Sequence, residues 1–201
     1  MSRACILEVL QRELPELVRW FLTCYNAEAE LWLGRGIKIG NCQTGVLQGD
    51  PLSMLYFCMG FHSCLTESDN IVTRAHSDES PSGQRKTQAY ADDAWYHGDA
   101  VCLLDSVPQL KDCFRDMANT SLKTSKSKLL VGKGITGDQL SQIQRHAEEH
   151  DIPVLTDGMI VAGIPVGNSE YIKRATVEKL KSYGADIAKA RGTSLRNRIH
   201  P

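Results

Sequence analysis

Apolar residues in this chain recur every three or four positions in some stretches and every second position in others, and the two periods predict different elements. Residues 2–30 have the helical spacing. Ile6, Leu7, Val9 and Leu10 form one stripe, and Pro15 is placed to open a second helix carrying Leu17, Val18, Phe21 and Leu22. "AELWLGRGIKIG" switches to period two, with Leu31 and Leu33 answered by Ile37 and Ile39 across Gly34-Arg35-Gly36, which predicts a hairpin. "NCQTGVLQGD" predicts a loop. Asp50-Pro51 is a helix start, a carboxylate cap followed by a proline with no amide to satisfy. The helix behind it, Leu52 to Leu65, is apolar nearly all round and is expected to be buried. Residues 66–86 are polar with proline and glycine and read as a flexible loop. "TQAYADDAWYHGD" predicts two short strands around an acidic pair. Residues 100–119 predict an amphipathic helix with Val101, Leu104, Leu110 and Phe114 inward. Residues 126–167 predict strand, glycine loop, helix, strand and strand, and a final helix follows.

Composition narrows the class. With 201 residues, 42% hydrophobic and 23% charged, the chain can bury one sizeable core or two small ones. A formal net charge of -1 excludes a whole-chain field that would gather nucleic acid. The charge is uneven: from Glu170 to Arg198 eight basic residues stand against three acidic ones, a net +5. That tail fits a solvated helix face and a phosphate-tracking surface equally well. Seven cysteines, an odd number with no CxxC pair, argue against a disulfide framework or zinc knuckle and for reduced intracellular thiols. The N-terminus lacks the apolar core of a signal peptide. The most apolar run, "PLSMLYFCMGF", falls short of the ~20 residues that span a bilayer. A soluble protein of the nucleus or cytoplasm is expected.

Two motifs offer chemistry that the residues support poorly. Gly132-Lys133-Gly134-Ile135-Thr136-Gly137 follows a predicted strand and precedes a helix, the setting in which GxGxxG cradles a pyrophosphate, and Asp157 lies twenty residues beyond Gly137. Thr136 or Asp138 is the expected helix cap, which leaves Gly137 outside the helix, where close strand packing does not need it. We read a plain loop and a capped helix. His146-Ala147-Glu148-Glu149-His150 has the HxxEH form of an inverted zinc site. Pro153 ends that helix before a third ligand can follow, so a solvated helix face is expected.

The pair Asp92-Asp93 is harder to dismiss. Aspartate is at home in turns. Yet Tyr90, Ala91, Ala94, Trp95 and Tyr96 are strand formers or small residues, and no glycine relieves the turn. Adjacent carboxylates at a hairpin tip are most comfortable with a divalent cation over them; Mg²⁺ takes one or two carboxylates, keeps waters and binds substrate phosphates. Tyr90-Ala91-Asp92-Asp93 resembles the YxDD box of reverse transcriptases, especially those of non-LTR retrotransposons and group II intron type elements. Residues 45–53, Gly-Val-Leu-Gln-Gly-Asp-Pro-Leu-Ser, resemble the preceding box of that family. Lys126-Ser127-Lys128-Leu129-Leu130 resembles its lysine box. Residues 162–167, Ala-Gly-Ile-Pro-Val-Gly, resemble its primer-grip strand pair, with Ala162 in place of the usual leucine. The boxes stand in family order along roughly residues 1–190.

The resemblance implies an α+β fold, a polymerase palm-like antiparallel sheet backed by helices. Residues 1–167 would be a partial palm and 168–201 a basic C-terminal helix beginning the thumb. It implies Asp92 and Asp93 as catalytic ligands of Mg²⁺, with Mn²⁺ as a substitute. Gln48 and Gly49 would lie beside nucleotide and template, Lys126 near the triphosphate, and Gly163, Ile164, Pro165 and Gly167 along the primer end. The implied partners are an RNA template, a DNA primer and a dNTP. One departure matters: the family's earlier box ends in an aspartate that bridges both metals, and no aspartate occurs here before Asp50. The fingers and most of the thumb are also missing. The expectation is a fragment that does not polymerise alone. A non-catalytic remnant that binds nucleic acid or protein is the alternative, and a dinucleotide-binding unit at 132–137 is a third reading.

Overall fold

The computed structural model describes residues 1–33, 36–47, 49–76, 87–90 and 92–196, with side chains as far as 189. It is a mixed helix and strand chain that divides into two compact units, Met1–Thr124 and Ser125–Pro201.

The first unit opens with α1 (Arg3–Glu13), capped by the Ser2 hydroxyl, which accepts from the Ala4 amide. A 3-10 turn, Pro15–Leu17, leads into α2 (Val18–Tyr25). The ribbon β1 (Ala29–Leu33) and β2 (Ile37–Cys42) pairs antiparallel, as the period-two pattern predicts, with a bulge between Leu31 and Trp32. The residues expected to turn it, Gly34 and Arg35, lie outside the described residues. Next comes α3 (Ser53–Ala75), then the hairpin β3 (Thr87–Tyr90) and β4 (Asp93–Tyr96), then α4 (Ala100–Asp105) and α5 (Val107–Ala118).

Three expectations are corrected here. Helix α3 runs to Ala75, through the first half of the segment read as a loop. Ile71 and Val72 extend the buried stripe of Phe61, Cys64 and Ser68, and that packing outweighs the polar composition around them. Nor is α3 buried all round, since Met54 is 54% and Leu55 38% exposed. The single helix expected over 100–119 is two helices, because Pro108 has no amide to offer the carbonyl four residues back. Leu104, Leu110 and Phe114 are buried as expected, and Val101 is half-buried.

Two cores fill this unit. Ile6, Leu10, Phe21, Tyr25 and Tyr56 join α1, α2 and the start of α3. Gly60 permits the close crossing of α1, because a Cβ there would stand 2.8 Å from Ile6 Cγ1. Phe61, Cys64, Ile71, Val72, Leu110, Cys113, Phe114 and Ala118 join α3 to α5. The thiols of Cys64 and Cys113 lie 3.8 Å apart, far beyond a bond, and all seven cysteines are free. Burial pushes Cys64 up to about 12, so it packs as a small hydrophobe.

In the second unit β5 (Leu129–Leu130) and β6 (Val154–Leu155) pair in parallel across α6 (Gly137–Glu149). The hairpin β7 (Gly158–Val161) and β8 (Ile164–Gly167) follows, then α7 (Ser169–Arg196). Asn168 caps α7 by accepting from the Tyr171 amide at 2.8 Å. Hairpin β7–β8 and helix α7 lie in one compact unit. Strand pairing among the described residues forms four two-stranded sheets, three antiparallel and one parallel, where one antiparallel sheet was expected. Strands of two to six residues carry little pairing energy, and open edges facing water keep their polar groups solvated. No helix among the described residues is long and apolar enough to cross a membrane.

Asp99 caps α4 with its carboxylate, accepting from Val101 at 2.9 Å and Cys102 at 3.1 Å. Those amides, Cys102 first, hold the carboxyl below its ordinary value. A depressed acid stabilises the fold above its unfolded value, near 4, and that stabilisation is lost as the pH falls through the folded value. Urea unfolding between about pH 5 and 2 is expected to show a shallower acid loss for Asp99→Asn, which keeps a capping oxygen without the charge.

Candidate active site

The acidic pair sits at a hairpin tip. Tyr90 pairs with Asp93, so the chain reverses between them, with Asp92 in the turn and Asp93 opening β4. Both aspartates are exposed, and Tyr90 beside them is 70% exposed. Ala91 lies outside the described residues.

Helix α3 grips both ends of this hairpin. At the entry, Asp69 Oδ1 accepts from the Thr87 amide at 2.9 Å. At the exit, His76 Nε2 accepts from the Asp99 amide at 2.8 Å, and its Nδ1 lies 2.7 Å from the Val72 carbonyl. An imidazole carrying its proton on Nδ1 meets both contacts. Gly98 leaves room for that ring, because a Cβ there would overlap it. Between these anchors burial raises the Tyr96 phenol to about 12, which keeps it neutral under the strand.

The second element is the loop before α3. Gly45 and Gly49 adopt φ of +67° and +98°, values open to glycine at little cost. A Cβ on either would meet nothing within 4 Å, so backbone shape and not crowding demands the glycine. Asp50 closes the loop: its amide donates to the Leu47 carbonyl at 3.3 Å, and its Oδ1 accepts from Leu52 at 2.9 Å. The expected helix cap is therefore a turn cap, and the helix starts at Ser53. The other carboxylate oxygen of Asp50 accepts from the Tyr25 hydroxyl, which itself accepts from the Leu47 amide at 3.2 Å. Burial first, and the Asp50 bond second, push the Tyr25 phenol up to about 12. With both oxygens engaged inside the loop, Asp50 is committed to holding its shape. Gln48 lies outside the described residues.

The remaining sequence candidates belong to the second unit. Lys126 is exposed in a 3-10 turn ahead of β5. Gly163 (φ +79°) and Ala162 (φ +46°) turn the β7–β8 hairpin, and the Lys179 ammonium donates to the Gly163 carbonyl. Ile164 and Val166 are exposed, and Pro165 is half-buried. Gly167 (φ +151°) lies against the backbone of Asp157 and Gly158, so close that a Cβ would overlap both.

The glycine loop at 132–137 has the strand–helix–parallel strand setting of a mononucleotide unit. Contrary to expectation Gly137 is the first residue of α6, with Thr136 at the cap position but making no side-chain cap bond. A Cβ at Gly132, Gly134 or Gly137 would meet nothing within 4 Å, so none of the three supports close strand–helix packing. The His146 and His150 rings lie 5.7 Å apart at the end of α6. Among the described residues no group of three or more His, Cys, Asp or Glu is placed to hold a metal.

The structure thus brings Asp92 and Asp93 together at one exposed tip and gathers Gly45–Leu47, Gly49 and Asp50 into one tied loop. Two adjacent, water-facing carboxylates suit a hard cation such as Mg²⁺, which accepts one or two carboxylates and completes its octahedron with water or phosphate oxygens. Sequence patterns missed Arg3, Tyr25, Asp69 and His76, which hold these pieces. Tyr25 ends an apolar stripe and reads as core; Asp69 and His76 fall in a segment read as loop. No family model matches the chain, and neither a curated protein nor a solved structure matches it.

The glycines of β7–β8 separate strain from overlap. Gly163→Ala, with only the Lys179 ammonium nearby at 3.3 Å, is expected to cost about 1 kcal/mol for its backbone. Gly167→Ala, which meets backbone, is expected to cost roughly 2–3 kcal/mol. Thermal unfolding followed by circular dichroism checks the order.

Proposed function

We propose that this chain is a palm segment of a retroelement-type reverse transcriptase, a nucleotidyltransferase of the RNA-directed DNA polymerase class. The observation that carries the reading is the strand reversal between Tyr90 and Asp93, at whose tip both Asp92 and Asp93 are exposed. The loop Gly45–Asp50 and the four boxes in family order support it.

In this reading Asp92 and Asp93 hold Mg²⁺, with Mn²⁺ able to replace it. The ion supplies charge compensation for in-line attack of a primer 3′-hydroxyl on an α-phosphate. The chain's own part is position. Asp69 and His76 fix the hairpin that carries the carboxylates, and the open backbone at Gly49 leaves room for a base or nucleotide. In the second unit, Lys126 and Gly163–Gly167 are the residues to which the resemblance gives triphosphate and primer roles. The RNA template, DNA primer and dNTP are partners on the same basis. Two carboxylates compensate less charge than three, so the chain is a weak cation site and, by itself, a poor polymerase. A non-catalytic palm that only binds nucleic acid or protein uses the same surface without the ion.

Mn²⁺ titration followed by electron paramagnetic resonance separates these readings. Binding in the wild type that is lost in Asp92→Asn and Asp93→Asn supports the ion-holding palm. Equal Mn²⁺ binding in all three overturns it. Primer extension on a poly(rA)·oligo(dT) template is expected to show no synthesis by the chain alone. The parallel β5–β6 pair favours a second reading, a nucleotide site at 132–137. That reading requires NADH binding that Gly134→Val abolishes and Asp92→Asn leaves intact.

A further inference from the structure

We infer that Tyr25, seated by Arg3, is the positioning residue that holds the loop Gly45–Asp50 in its working shape before any substrate arrives. Its bearing on template binding rests on the polymerase reading above; the tie itself does not.

A glycine-containing loop takes one shape only at a conformational cost. Gly45 and Gly49 give that loop more conformations to lose than other residues would, so something must select one. Its contacts show what does. The Tyr25 hydroxyl bridges the two flanks of the turn: it donates to the Asp50 carboxylate on one side and accepts from the Leu47 amide on the other. The ring that delivers this hydroxyl has no freedom. It is 3% exposed, stacks on Phe21 with centroids 5.0 Å apart, and meets Tyr56 edge-on at 6.0 Å. A hydroxyl on a fixed ring is a rigid two-sided clamp, where one on a mobile side chain would merely follow the loop.

Arg3 fixes the other end. Its guanidinium donates to the carbonyls of Gly45 at 3.1 Å, Cys42 at 2.9 Å, Ala27 at 2.9 Å and Tyr25 at 3.4 Å. One planar fork therefore collects the end of α2, the end of β2 and the start of the loop. Its carbon lies 5.3 Å from the Tyr25 ring centroid. The Gly45 amide is held in turn by the Met1 carbonyl at 2.9 Å. Lysine could not reproduce this, because an ammonium is a single point with no fork. The loop is thus gripped at Gly45, at Leu47 and at Asp50, and a ligand that uses its backbone meets it already ordered.

Amide hydrogen exchange on the full chain tests the tie directly. Tyr25→Phe keeps the ring and its stacking and removes only the clamp. The Leu47 amide is expected to exchange about tenfold faster, while the Ile6 and Phe114 amides in the two cores stay within about twofold. Arg3→Lys is expected to speed the Gly45 amide in the same way. Asp50→Asn, which leaves Tyr25 in place, is the second variant should Tyr25→Phe not fold, and a smaller acceleration at Leu47 is expected. Unchanged exchange at Leu47 in Tyr25→Phe and Asp50→Asn overturns the proposal. So does a uniform acceleration of loop and core, which would mark Tyr25 as core packing alone. The same variants are then titrated with fluorescein-labelled poly(rA)·oligo(dT) by anisotropy. An affinity loss of about fivefold in Tyr25→Phe supports the tie at a template site. Faster Leu47 exchange together with no binding by the wild type upholds the clamp and sinks the polymerase reading.

Discussion

Both cores of the first unit close on a single helix. Tyr56 gives α3 to the core with α1 and α2, and Phe61, Cys64, Ile71 and Val72 give it to the core with α5. Two parts of the candidate chemistry hang from that shared element. The Gly45–Asp50 loop runs into its first turn, and the acidic hairpin is fastened to its second half. A helix anchored by two independent apolar contacts moves little, so groups attached to it inherit its rigidity. Asp69 and His76 exploit this. Asp69 meets the Thr87 amide at the start of the hairpin, and His76 meets the Asp99 amide beyond its end, where α4 begins.

The aspartates of this unit divide into two kinds by what surrounds them. The Asp50 carboxylate accepts from the buried Tyr25 phenol and from the Leu52 amide, and its charge is consumed in holding the chain. Asp92 and Asp93 face water at the end of a narrow ribbon, with charge available to something outside. The same residue type serves as structure in one place and as candidate chemistry in another, and the number of internal donors each meets decides which. The raised phenols of Tyr25 and Tyr96 belong with the first kind: burial keeps them neutral, so Tyr25 acts as a hydrogen-bonding group and Tyr96 as a packing group, and neither acts as an acid.

Much of this was legible along the chain. The period-two stretches became hairpins, Pro15 opened a second helix, and the adjacent aspartates fell at a strand reversal, because those features depend on neighbours a few residues away. The limits of α3 and the break at Ser106 were harder to read. The first depends on Ile71 and Val72 finding α5, and the second on a missing amide at Pro108 that the apolar spacing conceals.

What the sequence determined by itself was most of the elements, their order and the place of the adjacent aspartates at a strand reversal, since periodicity, turn chemistry and charge are local properties. The anchors were decided only by tertiary structure. Arg3 reaches carbonyls as far along the chain as Gly45, and His76 meets an amide at position 99. Neither position carries a local signal, because a lone arginine on a helix and a lone histidine after one are ordinary until the fold brings unpaired backbone groups against them.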